Sequence, residues 1–96
     1  MNKQLVEITF SDIDYVDEQM INLLGNMEQL ETVHLEKLTD VSEQTYRNLV
    51  DNAQSLRHLT IVLEVDISSD TATYIKRKVK YAKIIVIENN NINKNN

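Results

Sequence analysis

An apolar pattern recurs along this chain at a spacing of 25 to 26 residues and restricts the folds that the chain can adopt. Each of the four copies has apolar residues at its first, fourth and sixth positions, and the first three copies have further ones eleven and nineteen residues after the first. Such agreement in three rows is hard to obtain by chance in a chain that is 42% hydrophobic. A repeat of this length is typical of stacked-unit proteins, which usually bind other proteins. The triplets are Leu5-Ile8-Phe10, Leu30-Val33-Leu35, Leu56-Leu59-Ile61 and Ala82-Ile85-Ile87; offset eleven holds Val16, Val41 and Ile67, and offset nineteen holds Leu24, Leu49 and Ile75.

Each unit predicts a strand followed by a helix. The triplets lie in short apolar runs that favour strands at 5–11, 31–36, 57–63 and 83–87. A capping residue at one common offset, Asp17, Ser42 or Ser68, predicts helices over 18–26, 43–53 and 70–81. Strand, helix and strand in this order require a crossover, so we expect four parallel strands with three helices on one side. The first helix is expected to use Met20, Ile21, Leu23, Leu24 and Met27 as its apolar face.

The predicted organisation is one α/β domain over residues 1–87. Its units are 5–29, 30–55, 56–81 and a partial unit 82–87, and the Asn-rich segment 88–96 is expected to be disordered. With no Cys, the chain can form neither disulfides nor thiolate metal sites. One Gly and no Pro argue against a phosphate-binding loop. We expect no cofactor, no membrane segment or signal peptide, and an intracellular, cytoplasmic protein.

The repeat resembles a known family. The triplet, an apolar residue at offset eleven, a capping Ser or Asp at twelve and an acid at thirteen resemble the leucine-rich repeat. The segments 16–18 (Val-Asp-Glu) and 41–43 (Val-Ser-Glu) resemble its cysteine-containing subtype, common in F-box-associated proteins. The resemblance covers residues 5–87 and implies a short right-handed βα solenoid that acts as an interaction scaffold. No F-box is visible, so the resemblance does not imply a ubiquitin ligase.

The chain departs from this subtype at offset eight. The subtype has Cys or Asn there, whereas this chain has Ile13, Leu38 and Glu64. Because a carboxylate is costly to bury unpaired, we expect the third turn to be distorted or Val65 to take the place of Glu64.

In the family, residues between the triplet positions point outward from the concave sheet, which implies a partner-binding face. The alternative is a set of ordinary solvated sheet residues, but exposed apolar side chains near an edge strand favour a partner. His34 and His58 could also form a metal pair with Glu36 or Glu7, or an acid and base; no nucleophile or oxyanion motif accompanies them, so we expect neither. The predicted partner-binding residues are Glu7, Thr9, Thr32, His34, Glu36, His58, Thr60, Val62, Ile84 and Val86.

Charge is distributed unevenly along the chain. Residues 1–70 carry 14 acids and 4 bases, whereas residues 71–96 carry 1 acid and 6 bases. A basic patch around the last helix could be a solvated face, a site for an acidic protein, or a nucleic-acid site. The acidic residues that precede this patch in the sequence would repel phosphate. Nucleic acid is therefore the least favoured of these three interpretations. The predicted basic patch comprises Lys76, Arg77, Lys78, Lys80 and Lys83.

The sequence thus predicts a non-enzymatic protein–protein interaction module or structural subunit of a larger complex. The concave face and the uncapped ends of the repeat are the expected contact surfaces, and copies of the chain could stack. The alternatives are binding of nucleic acid or an acidic surface through the last helix and, with less support, a small α/β enzyme.

Overall fold

The computed structural model describes residues 6–11, 17–38 and 41–87 as an α/β fold. Within them, four strands form one sheet in the order β1-β2-β3-β4, and every neighbouring pair is parallel. The predicted four parallel strands and three helices are confirmed. In chain order the elements are β1 (Val6–Phe10), α1 (Glu18–Leu24), β2 (Leu30–Glu36), α2 (Glu43–Asn52), β3 (His58–Leu63), α3 (Ser69–Lys78) and β4 (Tyr81–Val86).

Side chains from all three helices and all four strands meet in one apolar core. The triplets of the second and third units are buried, and Ile8 and Phe10 of the first unit pack against them. The residues at offset nineteen are buried, and Val41 and Ile67 at offset eleven pack partly buried against the core. Each fully buried Leu or Ile side chain contributes about 1.5–3 kcal/mol to folding. Leu5, Val16 and the segment 88–96 lie outside the described residues.

The fourth strand pairs in a different register from the predicted one. Leu59 pairs with Ala82 and Ile61 with Ile84, a step of 23 residues, whereas the preceding step from β2 to β3 is 26 residues. The fourth strand exists as predicted, but it spans Tyr81–Val86 and not 83–87, and the predicted triplet Ala82-Ile85-Ile87 is wrong. Ile84 packs against the core, and Val86 pairs with the buried Leu63.

The shorter third unit explains this shift. The helix α3 ends at Lys78 and not at residue 81 as predicted, a position equivalent to Asn52 at the end of α2. Five residues, 53–57, join α2 to β3, whereas only two, Val79 and Lys80, join α3 to β4. The connection is thus three residues shorter, and Val79 is buried within it. The fourth apolar triplet is accordingly Val79-Ala82-Ile84.

A polar ladder connects the N-termini of consecutive helices. Asp17, Ser42 and Ser68 cap the three helices, as the sequence predicted. Glu18 accepts a hydrogen bond of 2.8 Å from the backbone N–H of Ser42. Glu43 likewise accepts from the N–H and hydroxyl of Ser68, at 3.0 and 2.8 Å. The first residue of one helix therefore binds the capping residue of the next helix. These contacts form although the chain lacks the Cys or Asn that the subtype has at offset eight.

The helices α1 and α2 approach each other closely at Gly25. A Cβ atom at this position would lie 3.0 Å from Cβ of Asn52. Gly25 itself has right-handed helical angles, with φ −64° and ψ −19°, which any residue can adopt. Its small size, and not its backbone freedom, is what the packing requires.

The turns after β2 and β3 differ. Leu38 packs against the core, whereas Glu64 is exposed. Val65 is 81% exposed, so the expectation that Val65 takes the core position of Glu64 is wrong. Lys37 has a left-handed φ of 58°, and its N–H donates to the carbonyl oxygen of Val62 at 2.7 Å. Across the described ranges no helix has the length and apolar character needed to cross a bilayer.

Candidate interaction surface

Successive side chains of a strand point to opposite faces of a sheet. One face of this sheet contributes to the core, and the other is here called the outer face. Strand pairing arranges the residues of the outer face in three rows across the sheet. These rows are Glu7-Thr32-His58-Tyr81, Thr9-His34-Thr60-Lys83, and Glu36-Val62-Ile85.

The structure brings eight of the ten predicted partner-binding residues together on this outer face. The other two, Ile84 and Val86, belong to the opposite row of β4, so their predicted placement is wrong. The outer-face residues of β4 are instead Tyr81, Lys83 and Ile85. Lys83 was identified from the sequence only for its charge, and Ile85 was assigned to the core, which is wrong because it is exposed. A second 1-4-6 pattern starting at Val79 was the signal that could have identified them.

The centre of the outer face contains a histidine beside a carboxylate. Nε2 of His34 lies 3.3 Å from Oε1 of Glu36, and both side chains are a little over one-third exposed. His58 makes a different contact, because its ring stacks on Tyr81 with 4.9 Å between centroids. In the described parts of the chain, no three metal-ligating side chains come together. The geometry of this face therefore adds nothing to the metal alternative, and the acid-base alternative has the contact between His34 and Glu36 as its single observation.

The β3–β4 half of the outer face combines apolar and basic side chains. Tyr81 is 51% and Ile85 is 41% exposed, whereas Val62 beside Ile85, one of the predicted partner-binding residues, is buried. Nζ of Lys80 lies 5.4 Å from the centroid of the Tyr81 ring, and Lys83 is exposed in the adjacent row. This half offers an aromatic ring, an aliphatic side chain and two ammonium groups, while the β1–β2 half carries Glu7 and Glu36.

The predicted basic patch is divided between α3 and the outer face. Lys76 and Arg77 are exposed on α3, and Lys78 pairs with Asp51 of α2 at 3.3 Å. Lys80 and Lys83 instead lie at β4. One of the five positive charges is thus partly neutralised within the protein.

The ion pair of Lys78 belongs to a polar contact between α2 and α3. The hydroxyl of Tyr74 donates to Oδ1 of Asp51 at 2.5 Å, which lowers the pKa of Asp51 and raises the pKa of Tyr74. Arg47 lies over the Tyr74 ring, 5.1 Å from its centroid, and donates to Oγ1 of Thr71 at 3.2 and 3.3 Å. These contacts hold neighbouring helices together, and we assign them to the fold.

The helix α1 exposes apolar side chains that the sequence analysis assigned to the core. Ile21 and Leu24 are buried as expected. Met20 is 36%, Leu23 is 64% and Met27 is 39% exposed, so the predicted apolar face of this helix is only partly correct.

Comparison with known proteins finds no protein family, no curated protein and no solved structure that matches this chain. The resemblance to leucine-rich repeats rests on the apolar spacing and stays a hypothesis.

Proposed function

We propose that this protein is a non-enzymatic protein-binding module whose outer face docks a partner protein. The observation that carries the proposal is the exposure of Tyr81 and Ile85, beside Lys80 and Lys83, on an edge strand of the described sheet. Large apolar side chains on an edge strand promote association unless a partner covers them. The absence of Cys from the sequence fits an intracellular module.

We further propose that the βα units stack as a short solenoid of the leucine-rich-repeat type, with the helices in one layer. Two observations support this arrangement. The first is the repeated burial of equivalent positions in successive units, and the second is the repeated bond from Glu18 to Ser42 and from Glu43 to Ser68. Each unit would bury its apolar face only against its neighbours, as in other repeat proteins.

The chemistry of the β3–β4 half indicates the kind of partner segment that it would bind. Tyr81 supplies a large, rigid contact, and aromatic residues of this kind dominate binding energy at protein interfaces. The two lysines beside it favour acidic side chains around an apolar anchor. Glu7 and Glu36, at the other half, would favour basic side chains and so set the orientation of the partner.

The test is a double variant, Tyr81→Ser with Ile85→Asp. Partners captured from native cell extract by the wild-type chain are identified by mass spectrometry, purified and titrated by calorimetry. We expect the dissociation constant to rise at least about tenfold, which corresponds to about 1.4 kcal/mol. Circular dichroism checks that the double variant is folded.

Val65→Asp is the matched control, because it places the same charge on an exposed aliphatic position in the turn after β3. It should leave the affinity unchanged. If the double variant binds as tightly as the wild type, the outer face is not the contact surface and the proposal is overturned.

A further inference from the structure

Three apolar side chains are exposed along one side of α1. They belong to Met20, Leu23 and Met27 and are here called the α1 flank. The three residues stand three, six and ten positions after the cap Asp17. Residues three to four apart lie on the same side of a helix, so the first two share one side, and Met27 continues it in the turn beyond Leu24.

The repeat shows what normally covers this flank. In α3, the residues three, six and ten positions after the cap are Thr71, Tyr74 and Lys78, and all three contact side chains of α2. The equivalent flank of α2 faces α1. Thr45, three positions after the cap, lies near Glu18, and Asn52, ten positions after the cap, lies against Gly25. In each case the flank packs on the preceding helix. For α1, no helix within the described residues takes that place, which favours a helix as the missing neighbour.

The sequence around the α1 flank defines the charge of that neighbour. No Lys or Arg occurs between Lys3 and Lys37. Asp17 and Glu28 are exposed at the two ends of the α1 flank. An apolar stripe with an acidic rim is complementary to a helix that has apolar residues on one face and bases beside them.

We propose that the α1 flank binds a basic amphipathic helix of a partner protein, packed beside α1 in the place of a preceding repeat helix. Met side chains adapt to different apolar surfaces, and two of the three contact residues are Met. The proposal is independent of the outer face, because the α1 flank lies on a helix and not on the sheet.

A second copy of the chain is a poorer occupant. Two α1 flanks facing each other would bring acids against acids. The side of α2 that contacts α3 carries Glu43, Arg47 and Asp51. The same side of α3 carries Ser69, Thr73 and Arg77, which are exposed and polar. A second copy that used this side would offer no apolar side chain to the α1 flank. An anionic membrane surface would be repelled by the acidic rim.

The test uses a synthetic peptide of about 18 residues, long enough to be helical in water, with a Leu stripe and Lys on the opposite face. Its binding to the full chain is measured by fluorescence anisotropy at low and high salt. We expect binding that weakens with salt, and at least a tenfold rise in the dissociation constant for Met20→Ser with Leu23→Ser. A peptide with Glu in place of Lys should bind at least tenfold more weakly than the Lys peptide.

Methionine methyl signals locate the contact. The chain has three Met, of which two lie in the α1 flank. With ¹³C-methyl Met, the basic peptide should shift the signals of Met20 and Met27, and the same peptide with Glu in place of Lys should leave them unchanged at equal concentration. Val65→Asp is the control for peptide affinity and should bind as the wild type does.

Three results would overturn the proposal. The first is equal peptide affinity of the wild type and the double Ser variant, or no binding of the Lys peptide at all. The second is a dimer, seen by analytical ultracentrifugation, that the double Ser variant abolishes, because the flank would then bind a second copy. The third is binding of anionic vesicles that the same variant abolishes, because the flank would then bind a membrane.

Discussion

At the scale of single residues, Tyr46 combines full burial with a polar group. It is 2% exposed, and its hydroxyl has no hydrogen-bond partner in the described part of the chain. Burial disfavours the phenolate and raises the pKa of Tyr46 to about 12, from about 10 in the unfolded chain. The neutral hydroxyl therefore favours the folded state below pH 10, and this contribution is lost as the pH rises from about 10 to about 12.

Tyr46→Phe tests this relation. A shift of two pKa units corresponds to about 2–3 kcal/mol, so the wild type should lose about that much stability between pH 10 and 12, and the variant should not. At neutral pH the variant should be as stable as the wild type or slightly more so, because no hydrogen bond is removed. The measurement is urea unfolding at several pH values.

Tyr81→Phe is the control, because Tyr81 is half exposed on the outer face. It should lose stability at alkaline pH in the same way as the wild type. If Tyr46→Phe also follows the wild type up to pH 12, ionisation of Tyr46 is not coupled to unfolding.

At the scale of elements, the sequence predicted most of the fold because its signals are local. Capping oxygens and apolar triplets lie within a few residues of the helix or strand that they define, and all three caps are where they were expected. The register of β4 could not be found in this way. Residues 84–87 are all apolar, so Ala82-Ile85-Ile87 fits the 1-4-6 pattern as well as Val79-Ala82-Ile84 does.

The consequence for the surface is large, because a shift by an odd number of residues, here three, exchanges the two faces of a strand. The outer-face residues of β1 to β3 were therefore identified from the sequence, whereas those of β4 were not. The α1 flank was missed for a related reason. An apolar residue on a helix predicts burial, and only the position of the neighbouring helix shows that Met20 and Leu23 are left uncovered.

A pair of alanine variants tests the register. Ile84→Ala should cost about 1–2 kcal/mol, because Ile84 is partly buried against the core. Ile85→Ala should cost less than about 1 kcal/mol, because Ile85 lies on the outer face. Unfolding in urea measures both values. The register expected from the sequence requires the opposite order, and that result would contradict the pairing of Ile61 with Ile84.

At the scale of the whole molecule, the contacts between units depend on carboxylates. Hydrogen bonds from Ser42 lower the pKa of Glu18, those from Thr71 and Ser68 lower the pKa of Glu43, and that from Tyr74 lowers the pKa of Asp51. Each ionised group therefore favours the folded state above its unfolded pKa, about 4 for Asp and Glu. This contribution is lost as the pH falls through the lower folded values.

Because all three carboxylates join consecutive helices, acid should weaken the contacts between units before it affects the apolar core. Glu43→Gln should lower the stability at pH 7, since an amide cannot accept the same charge-assisted bonds, and should make the loss of stability below pH 4.5 shallower. Urea unfolding from pH 7 to pH 2.5, followed by circular dichroism, measures both effects. Glu64→Gln changes an exposed turn residue in the same way and should leave both unchanged. If Glu43→Gln matches Glu64→Gln over this range, the ladder from Glu43 to Ser68 and Thr71 does not contribute to holding the second and third units together.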